Sequence, residues 1–288
     1  MKISKIDLET QVVNIHIGGD CNLECKMCAY KYVRQFECLS LEVYENILNQ
    51  IFDFLSKYRD RKLIMCYIGG EPTLDLDKLQ QFIELAYKIR NEFSDRFYLA
   101  VTTNGYYGRS LDSIKKMEEL DFDIIQLSLS KDHYEQGNSA WIQNIWGNQK
   151  RDNIWLSFIG GREIIKYYPY VNDYDEDAIL FYPLKNNIFY KDMLVKTDDI
   201  QTYNYKVMGI YIIPKGIYPC CPGEAYEEAC YLGSLDEIEE SLNKVFNSSI
   251  NFSIQGDISS IFPACIYLKK YFNLDIDCFA KNKVNFSL

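Results

Sequence analysis

Two features are missing from this sequence: an apolar run long enough to cross a membrane, and a signal-type apolar segment near the N-terminus. Positive charge is in the minority, with 31 Lys and Arg residues against 41 Asp and Glu, which gives a net charge of −10. This acidic balance argues against bulk binding to nucleic acid or to an anionic membrane, although it allows one local basic pocket. We therefore expect a cytoplasmic protein that does not bind a membrane.

Histidine is also scarce, with only His16 and His133, and a lone histidine is more often structural than catalytic. Cysteine, by contrast, is frequent, with 10 residues in a chain of 288. In a reducing cytoplasm this number favours metal or redox chemistry over a disulfide framework. One of them, Cys66, lies inside an apolar run, where we expect it to be a small buried hydrophobe.

Three of the cysteines, Cys21, Cys25 and Cys28, form a C-x3-C-x2-C pattern on the loop that leaves the first apolar run. One short loop with this spacing can direct three sulfurs at a compact inorganic core, and thiolate is the usual ligand of iron–sulfur clusters. A cubane cluster has four irons, so three local cysteines leave one iron open to a ligand that is not cysteine. On spacing alone, a zinc site and buried inert thiols are the alternatives.

The length fits one large domain, or one domain plus a smaller one, and strand-like and helix-like stretches alternate from residue 10 onward. The predicted strands cover residues 10–17, 62–68, 97–103, 122–130, 153–159 and 178–183. The predicted helices run from an N-cap at Ser40 to Lys57, from Asp75 or Asp77 to Phe93, and from Ser110 to Leu120. This alternation predicts an α/β fold with right-handed βαβ units and a parallel sheet.

Functional sites of such sheets lie at the carboxyl ends of the strands, and the distinctive segments of this chain fall there. They are the cysteine loop after the first strand, Gly69-Gly70-Glu71-Pro72 after the second, Thr102-Thr103-Asn104-Gly105 after the third, and Ser128 and Ser130 on the fourth. This alignment predicts that they form one site. An ordinary strand-to-helix turn, an Asn-Gly turn and a half-buried strand are the structural alternatives for the individual segments.

Taken together, the cysteine loop, Gly-Gly-Glu-Pro and Thr-Thr-Asn-Gly resemble the radical S-adenosylmethionine (SAM) superfamily over residues 10–200. The resemblance implies a partial (β/α)6 barrel, with a 4Fe–4S cluster on Cys21, Cys25 and Cys28 whose fourth iron is chelated by SAM. In that family the reduced cluster cleaves SAM, and the resulting 5′-deoxyadenosyl radical takes a hydrogen atom from the substrate. The cofactors carry this chemistry, and the resemblance implies a flavodoxin- or ferredoxin-type reductant as partner.

The same resemblance implies a set of SAM-binding residues. Met27 stands where the family has a residue next to the adenine, and Glu71 is an acceptor suited to the SAM ammonium. Arg162 is a candidate for pairing with the SAM carboxylate as a planar donor fork. The remaining candidates are Gly69, Gly70, Pro72, Thr103, Asn104, Ser128 and Ser130.

The pattern changes after about residue 200, where two short strands flank Pro214-Lys215-Gly216 and a helix follows near residues 236–246. This part resembles the SPASM and Twitch extensions that carry auxiliary clusters, so we divide the chain into a core, 1–205, and an extension, 206–288. The dense cysteine pattern of a two-cluster extension is missing. One auxiliary 4Fe–4S cluster, or free thiols in a packed cap, are the interpretations for Cys220 or Cys221 together with Cys230, Cys265 and Cys278.

Cys220 and Cys221 are adjacent, so on a strand their side chains face opposite ways. One of them can then bind a cluster while the other faces the active site. A thiol is a good hydrogen-atom donor, and some peptide epimerases of the superfamily use a cysteine in that way. We therefore predict that one of this pair quenches a carbon radical on the substrate.

The leading functional hypothesis is a radical SAM enzyme that matures a ribosomal peptide by epimerisation or crosslinking. Only about ten residues precede the first strand, so we expect no N-terminal leader-binding domain. The alternatives among enzymes are an activase that installs a glycyl radical on a partner protein and a radical SAM enzyme for a small molecule. The alternative from another class is a non-catalytic iron–sulfur electron carrier or metal-binding protein, which would not need Gly-Gly-Glu-Pro.

Overall fold

The computed structural model describes much of the chain, in ranges separated by gaps. These ranges are 10–25, 28, 37–150, 152–159, 162–171, 179–182, 201–206, 209–218, 231–246, 249–255 and 283–286. The α-helices within them are α1 Leu41–Lys57, α2 Leu76–Glu92, α3 Leu111–Glu119, α4 Lys131–Glu135, α5 Asn138–Asn148 and α6 Ile238–Phe246. The strands are β1 Thr10–His16, β2 Lys62–Ile68, β3 Phe97–Thr103, β4 Ile124–Ser130, β5 Ile154–Ile159, β6 Ile179–Tyr182, β7 Gln201–Lys206, β8 Gly209–Ile213, β9 Gly216–Tyr218, β10 Ser249–Gln255 and β11 Lys283–Phe286.

Eight strands form one sheet, in the spatial order β6-β5-β4-β3-β2-β1-β8-β9. Strands β1 to β6 are parallel to their neighbours, and β8 also runs parallel to β1. Helices connect the first strands, as expected for βαβ units. The expected α/β fold is confirmed, and its parallel-dominated sheet is that of a partial (β/α) barrel.

Three helices begin where their capping side chains predict, because each cap accepts a hydrogen bond from an otherwise open backbone N–H. Ser40 Oγ accepts from the Val43 amide at 3.2 Å. Asp75 Oδ1 accepts from the Lys78 amide at 2.9 Å, and Ser110 Oγ accepts from the Ser113 amide at 3.1 Å. The predicted apolar stripe of α1 is buried, with Tyr44, Ile47, Leu48, Ile51 and Leu55 packed into the core.

The two faces of the sheet differ in chemistry. Met65 and Tyr67 of β2 face α1, where the Tyr44 hydroxyl lies 3.1 Å from Met65 Sδ and 2.7 Å from the Tyr67 hydroxyl. Side chains alternate along a strand, so Cys66 faces the other way, and its sulfur lies 3.4 Å from Thr102 Oγ1 of β3. Cys66 is only 6% exposed, as expected for a small buried residue.

Helices α4 and α5 were not expected from the sequence. In α5 only Asn138, Ile142 and Ile145 are buried, so its apolar stripe is too thin to reveal a helix. A second sheet, antiparallel and in the order β11-β10-β7, was also not expected. Among the described residues, no helix is both long and apolar enough to span a membrane.

The predicted hairpin around residues 214–216 is confirmed as β8 and β9, and it extends the main sheet beside β1. The segment 231–246 packs on α1 through polar contacts. Gln50 Nε2 donates to the Leu235 carbonyl at 2.7 Å, and Lys57 Nζ lies 2.5 Å from Glu239 Oε1. The division into 1–205 and 206–288 stays a prediction, although β8 joins the sheet of the first part.

Candidate iron–sulfur and cofactor site

The cysteine loop leaves β1 at the carboxyl edge of the sheet. Cys21, Cys25 and Cys28 are partly exposed and form no disulfide, so a ligand can reach their sulfurs. The Cys28 amide donates to the Cys25 carbonyl at 3.1 Å, and the Leu23 amide lies 3.4 Å from Cys21 Sγ. Within the described ranges, no three His, Cys, Asp or Glu side chains already converge as a metal site. The fit to an iron–sulfur cluster therefore rests on the chemistry of three thiols on one short loop.

Gly69-Gly70-Glu71 docks directly against this loop through the backbone. The Gly70 amide donates to the Gly18 carbonyl at 2.9 Å, and the Glu71 amide donates to the Asp20 carbonyl at 2.7 Å. A Cβ on Gly69 would lie 2.2 Å from the Gly18 oxygen, and one on Gly70 would lie 2.0 Å from the Asp20 oxygen. Only glycine allows this close approach. The segments after β1 and β2, Gly18–Asp20 and Gly69–Glu71, therefore pack directly on each other, and we call this region the cradle.

The Glu71 carboxylate joins the ends of β2 and β3. Its Oε1 accepts from the Thr73 amide at 3.0 Å, the Thr73 hydroxyl at 2.6 Å and the Thr103 hydroxyl at 2.5 Å, and its Oε2 accepts from the Asn104 amide at 2.6 Å. Burial raises the pKa of Glu71 above its ordinary value, and these hydrogen bonds lower it in part. Pro72 begins the 3-10 helix Pro72–Leu74, so the strand-to-helix turn that was the structural alternative is present as well.

Asn104 connects the end of β3 to the cysteine loop. Its Nδ2 donates to Asn22 Oδ1 at 3.1 Å and lies 3.9 Å from Cys21 Sγ. Its Oδ1 accepts from the Tyr106 amide at 3.0 Å, and its carbonyl accepts from Asn138 Nδ2 at 3.1 Å. The predicted convergence of three strand ends is therefore present in the structure.

Ser130 and Ser128 of β4 both contact His133 of α4. Ser130 Oγ accepts from the His133 amide at 3.0 Å and so caps α4, while the Ser128 carbonyl lies 2.8 Å from His133 Nδ1. Burial lowers the pKa of His133, so its imidazole is neutral and Nδ1 carries the proton that this carbonyl accepts. His16 is buried in β1, and its Nδ1 lies 3.5 Å from the Tyr211 hydroxyl.

The register of the strands places a group of polar side chains on the sheet face opposite α1. Asn14 pairs with Cys66 and Tyr211, Thr102 pairs with Gln126, and Ser128 pairs with Ser157, so these side chains share one face. The members that the sequence did not single out are Asn14, Gln126, Ser157 and Tyr211. For Gln126 the available signal was the alternation of polar and apolar residues along β4, whereas Ser157 and Tyr211 are single polar residues in apolar strands.

Several predicted site residues lie outside the described ranges. They are Met27, Cys220, Cys221, Cys230, Cys265 and Cys278. Arg162 begins the 3-10 helix Arg162–Tyr167, which follows β5 in the chain. The roles of all of these residues stay predictions.

The comparison with protein families matches residues 15–155 to the Radical SAM superfamily. Among curated proteins, one from Methanocaldococcus jannaschii that bears the name of a glycyl-radical enzyme activating enzyme is 32% identical over 162 residues, which are 56% of this chain and 53% of that protein. The GTP 3′,8-cyclase of Nautilia profundicola is 28% identical over 132 residues, 45% of this chain and 38% of the cyclase. An S-adenosylmethionine-dependent nucleotide dehydratase of a Fibrobacter species is 29% identical over 106 residues, 35% of this chain and 29% of the dehydratase.

Solved structures of anSMEcpe share the fold. Native anSMEcpe with bound AdoMet superposes with a TM-score of 0.55 at 15% identity, over 83% of this chain and 80% of that one. Native anSMEcpe with bound AdoMet and Kp18Cys peptide gives a TM-score of 0.52 at 16% identity, over 82% and 81% of the two chains. This chain matches 53% of the length of the first curated relative and smaller shares of the other two.

Proposed function

Since residues 15–155 match the Radical SAM superfamily, we propose that this chain is an enzyme that reductively cleaves SAM and abstracts a hydrogen atom from a substrate. A radical SAM domain uses a 4Fe–4S cluster and SAM as its cofactors. When bound, they supply the electron and the 5′-deoxyadenosyl radical, whereas the chain supplies binding, orientation and exclusion of side reactions. Enzymes of this type need a reductant, and we propose a flavodoxin- or ferredoxin-type protein for this one.

We assign the cluster to Cys21, Cys25 and Cys28, and SAM to the cradle beside them. The observation that carries this assignment is the docking of Gly70 and Glu71 on the Gly18 and Asp20 carbonyls. A non-catalytic iron–sulfur or zinc protein needs sulfur ligands alone, whereas this loop packs so closely on Gly69 and Gly70 that a Cβ on either would collide with its backbone. That joint arrangement favours a cluster that works with an organic cofactor.

The hydrogen bonds of Thr103 and Glu71 indicate different roles for these two candidate SAM-binding residues. Thr103 donates to Glu71 and accepts from the Gly105 amide at 3.0 Å, so its hydroxyl is committed to holding the cradle. Glu71 Oε2 receives one described hydrogen bond, from Asn104, so it retains acceptor capacity for the SAM ammonium. Ser128, on the polar face of the sheet, is a candidate for the ribose or carboxylate, and Met27 and Arg162 complete the proposal.

For the substrate, we propose a peptide whose maturation is an epimerisation or a crosslink. The fold likeness to anSMEcpe, whose structure contains a bound peptide, supports this choice. The second candidate is activation of a glycyl radical enzyme, which the Methanocaldococcus jannaschii relative favours by its name. A nucleotide-sized molecule is the third, and the cyclase and dehydratase relatives support it.

The test of the chemistry is anaerobic reconstitution with iron and sulfide, followed by reduction and addition of SAM. We expect 5′-deoxyadenosine and a change in the cluster spectrum when SAM binds, and the absence of both would refute the proposal. In the C21A/C25A/C28A variant, 5′-deoxyadenosine should disappear. About four irons remaining per chain would then support the auxiliary cluster, because a cubane cluster contains four, whereas none would refute it.

The test of the hydrogen donor replaces Cys220 and Cys221 singly with Ala and with Ser. If one of them quenches the substrate radical, its replacement leaves SAM cleavage intact and abolishes the closed-shell product. The idea is wrong if both variants still yield that product. The substrate class is identified with deuterium-labelled candidates: peptides, a glycyl radical partner and nucleotides. Transfer of deuterium from one of them into 5′-deoxyadenosine marks it as the substrate.

A further inference from the structure

Gln136, which follows α4, contacts the cysteine loop across 112 residues of sequence. Its Oε1 accepts from the Glu24 amide at 2.8 Å. Its Nε2 lies 3.8 Å from Cys25 Sγ and 3.2 Å from the Asp132 carbonyl of α4. One side-chain amide therefore contacts both the backbone and the sulfur of the loop, while it remains anchored to its own helix.

This contact has a counterpart on the neighbouring strand end. Asn104 Nδ2 lies 3.9 Å from Cys21 Sγ and donates to Asn22 Oδ1, so a second amide contacts the other end of the Cys21–Cys25 segment. Both amides present N–H groups to sulfur. The segment is therefore held from two separate elements, β3 and α4.

We propose that Gln136 is a positioning residue of the cluster: it holds the Glu24–Cys25 segment on α4 and donates an N–H to the Cys25 sulfur. The second half of this statement rests on the proposed function. Reduction adds negative charge to a cluster and its thiolates, and hydrogen bonds to the sulfurs are one of the factors that set its potential. A donor stabilises the reduced form more than the oxidised form, so Gln136 raises the reduction potential.

Two substitutions separate the two contacts. Q136L removes both the acceptor for Glu24 and the donor for Cys25 without adding charge. Q136E keeps an acceptor for the Glu24 amide, and replaces the Nε2 donor with a carboxylate oxygen. The matched control is Q80L, because Gln80 is a helical glutamine whose Nε2 donates to Glu84 Oε1 at 2.7 Å, away from the loop.

The first measurement uses the metal-free full chain and depends on no cofactor. In Q136L, hydrogen exchange of the Glu24 amide should be about tenfold faster, because one net hydrogen bond is worth about that factor. In Q136E and Q80L the rate should stay at the wild-type value. An unchanged Glu24 rate in Q136L would overturn the holding role.

The second measurement is an EPR-monitored redox titration of the reconstituted chain, followed on the signal that changes when SAM is added. At the wild-type midpoint potential, the ratio of reduced to oxidised cluster should be about tenfold lower in Q136L and Q136E than in the wild type. For a one-electron couple this corresponds to a midpoint potential that is about 59 mV lower. Iron content should match Q80L. Equal midpoints in the wild type and Q136L would overturn the donor role. A wild type that binds no cluster would instead refute the proposed function and the donor role together, whereas the Glu24 exchange result would still decide the holding role.

Discussion

The Thr103 hydroxyl connects two parts of the cradle, and its removal by T103V is predicted to destabilise the fold strongly. Thr103 donates to Glu71 Oε1 at 2.5 Å and accepts from the Gly105 amide at 3.0 Å. Valine has nearly the same shape but makes neither bond. A hydrogen bond to a charged group is worth about 1.5–3 kcal/mol, and a buried N–H left unpaired costs about 1–3 kcal/mol. We expect a loss of about 3 kcal/mol at pH 7, after allowance for the added apolar methyl group.

The loss should also depend on pH. Burial already raises the pKa of Glu71 above 4.5, and the Thr103 hydrogen bond lowers it in part. Without that bond the folded-state pKa rises further, so the folded variant holds its proton to higher pH than the unfolded chain does. The variant should therefore lose additional stability as pH rises from the ordinary glutamate range through the raised folded pKa. Urea unfolding at several pH values from 4.5 to 8.5 measures this.

The matched control is T102V, one residue earlier on β3. Thr102 Oγ1 lies 3.4 Å from Cys66 Sγ, on the opposite face of the strand from Thr103. Loss of this neutral, partly exposed contact should cost less than about 1 kcal/mol at every pH. The reasoning is refuted if T103V costs no more than T102V, or if its cost does not change with pH.

Two further predictions concern the cradle and α4. G70A should destabilise the protein by about 3 kcal/mol or more and abolish SAM binding, because the new Cβ would lie 2.0 Å from the Asp20 oxygen. The control G147A, on α5 with nothing within 4 Å of the new Cβ, should instead stabilise by about 0.5–1 kcal/mol in thermal unfolding. For His133, whose pKa burial lowers below 6.5, the unfolding free energy should fall as pH drops below 6.5, since the unfolded chain binds the proton first. H133N keeps a donor for the Ser128 carbonyl and should lose this acid dependence; a wild-type stability that is flat from pH 7.5 to 5.5 would contradict it.

The elements that the sequence predicted correctly are those whose signals are local. Ser40, Asp75 and Ser110 cap helices within three residues of their own position. Strands β2 and β3 have the predicted bounds, because each contains an apolar run and is followed by a turn signal, Gly-Gly after β2 and Asn-Gly after β3. The convergence of the strand ends also followed from sequence, since parallel strands place their carboxyl ends at one edge.

The contacts that the sequence did not predict are those that depend on tertiary distance. Gln136 is an exposed residue at the end of a short polar helix, and nothing around it indicates a contact 112 residues away. Tyr211 reaches His16 only because β8 pairs with β1 in the same sheet, across 195 residues of sequence. A helix shorter than two turns and a strand that joins a distant neighbour carry no periodic pattern that identifies their partners.

The hydrogen bonds of Glu71 change what the Gly-Gly-Glu-Pro segment is expected to do. From the sequence, we expect the Glu71 carboxylate to lie at the end of a strand and to accept a hydrogen bond from the SAM ammonium. In the structure it is 4% exposed and accepts from both Thr73 and Thr103 through one oxygen. The Oε1 atom therefore accepts hydrogen bonds that hold β2 to β3. The Oε2 atom accepts from the Asn104 amide and can accept from one further donor. Since Asn104 also contacts Asn22 and Cys21, a ligand that engaged Oε2 would act on the same residue that holds the cysteine loop. Asn104 therefore contacts both the carboxylate that we propose for SAM and the loop that we propose for the cluster.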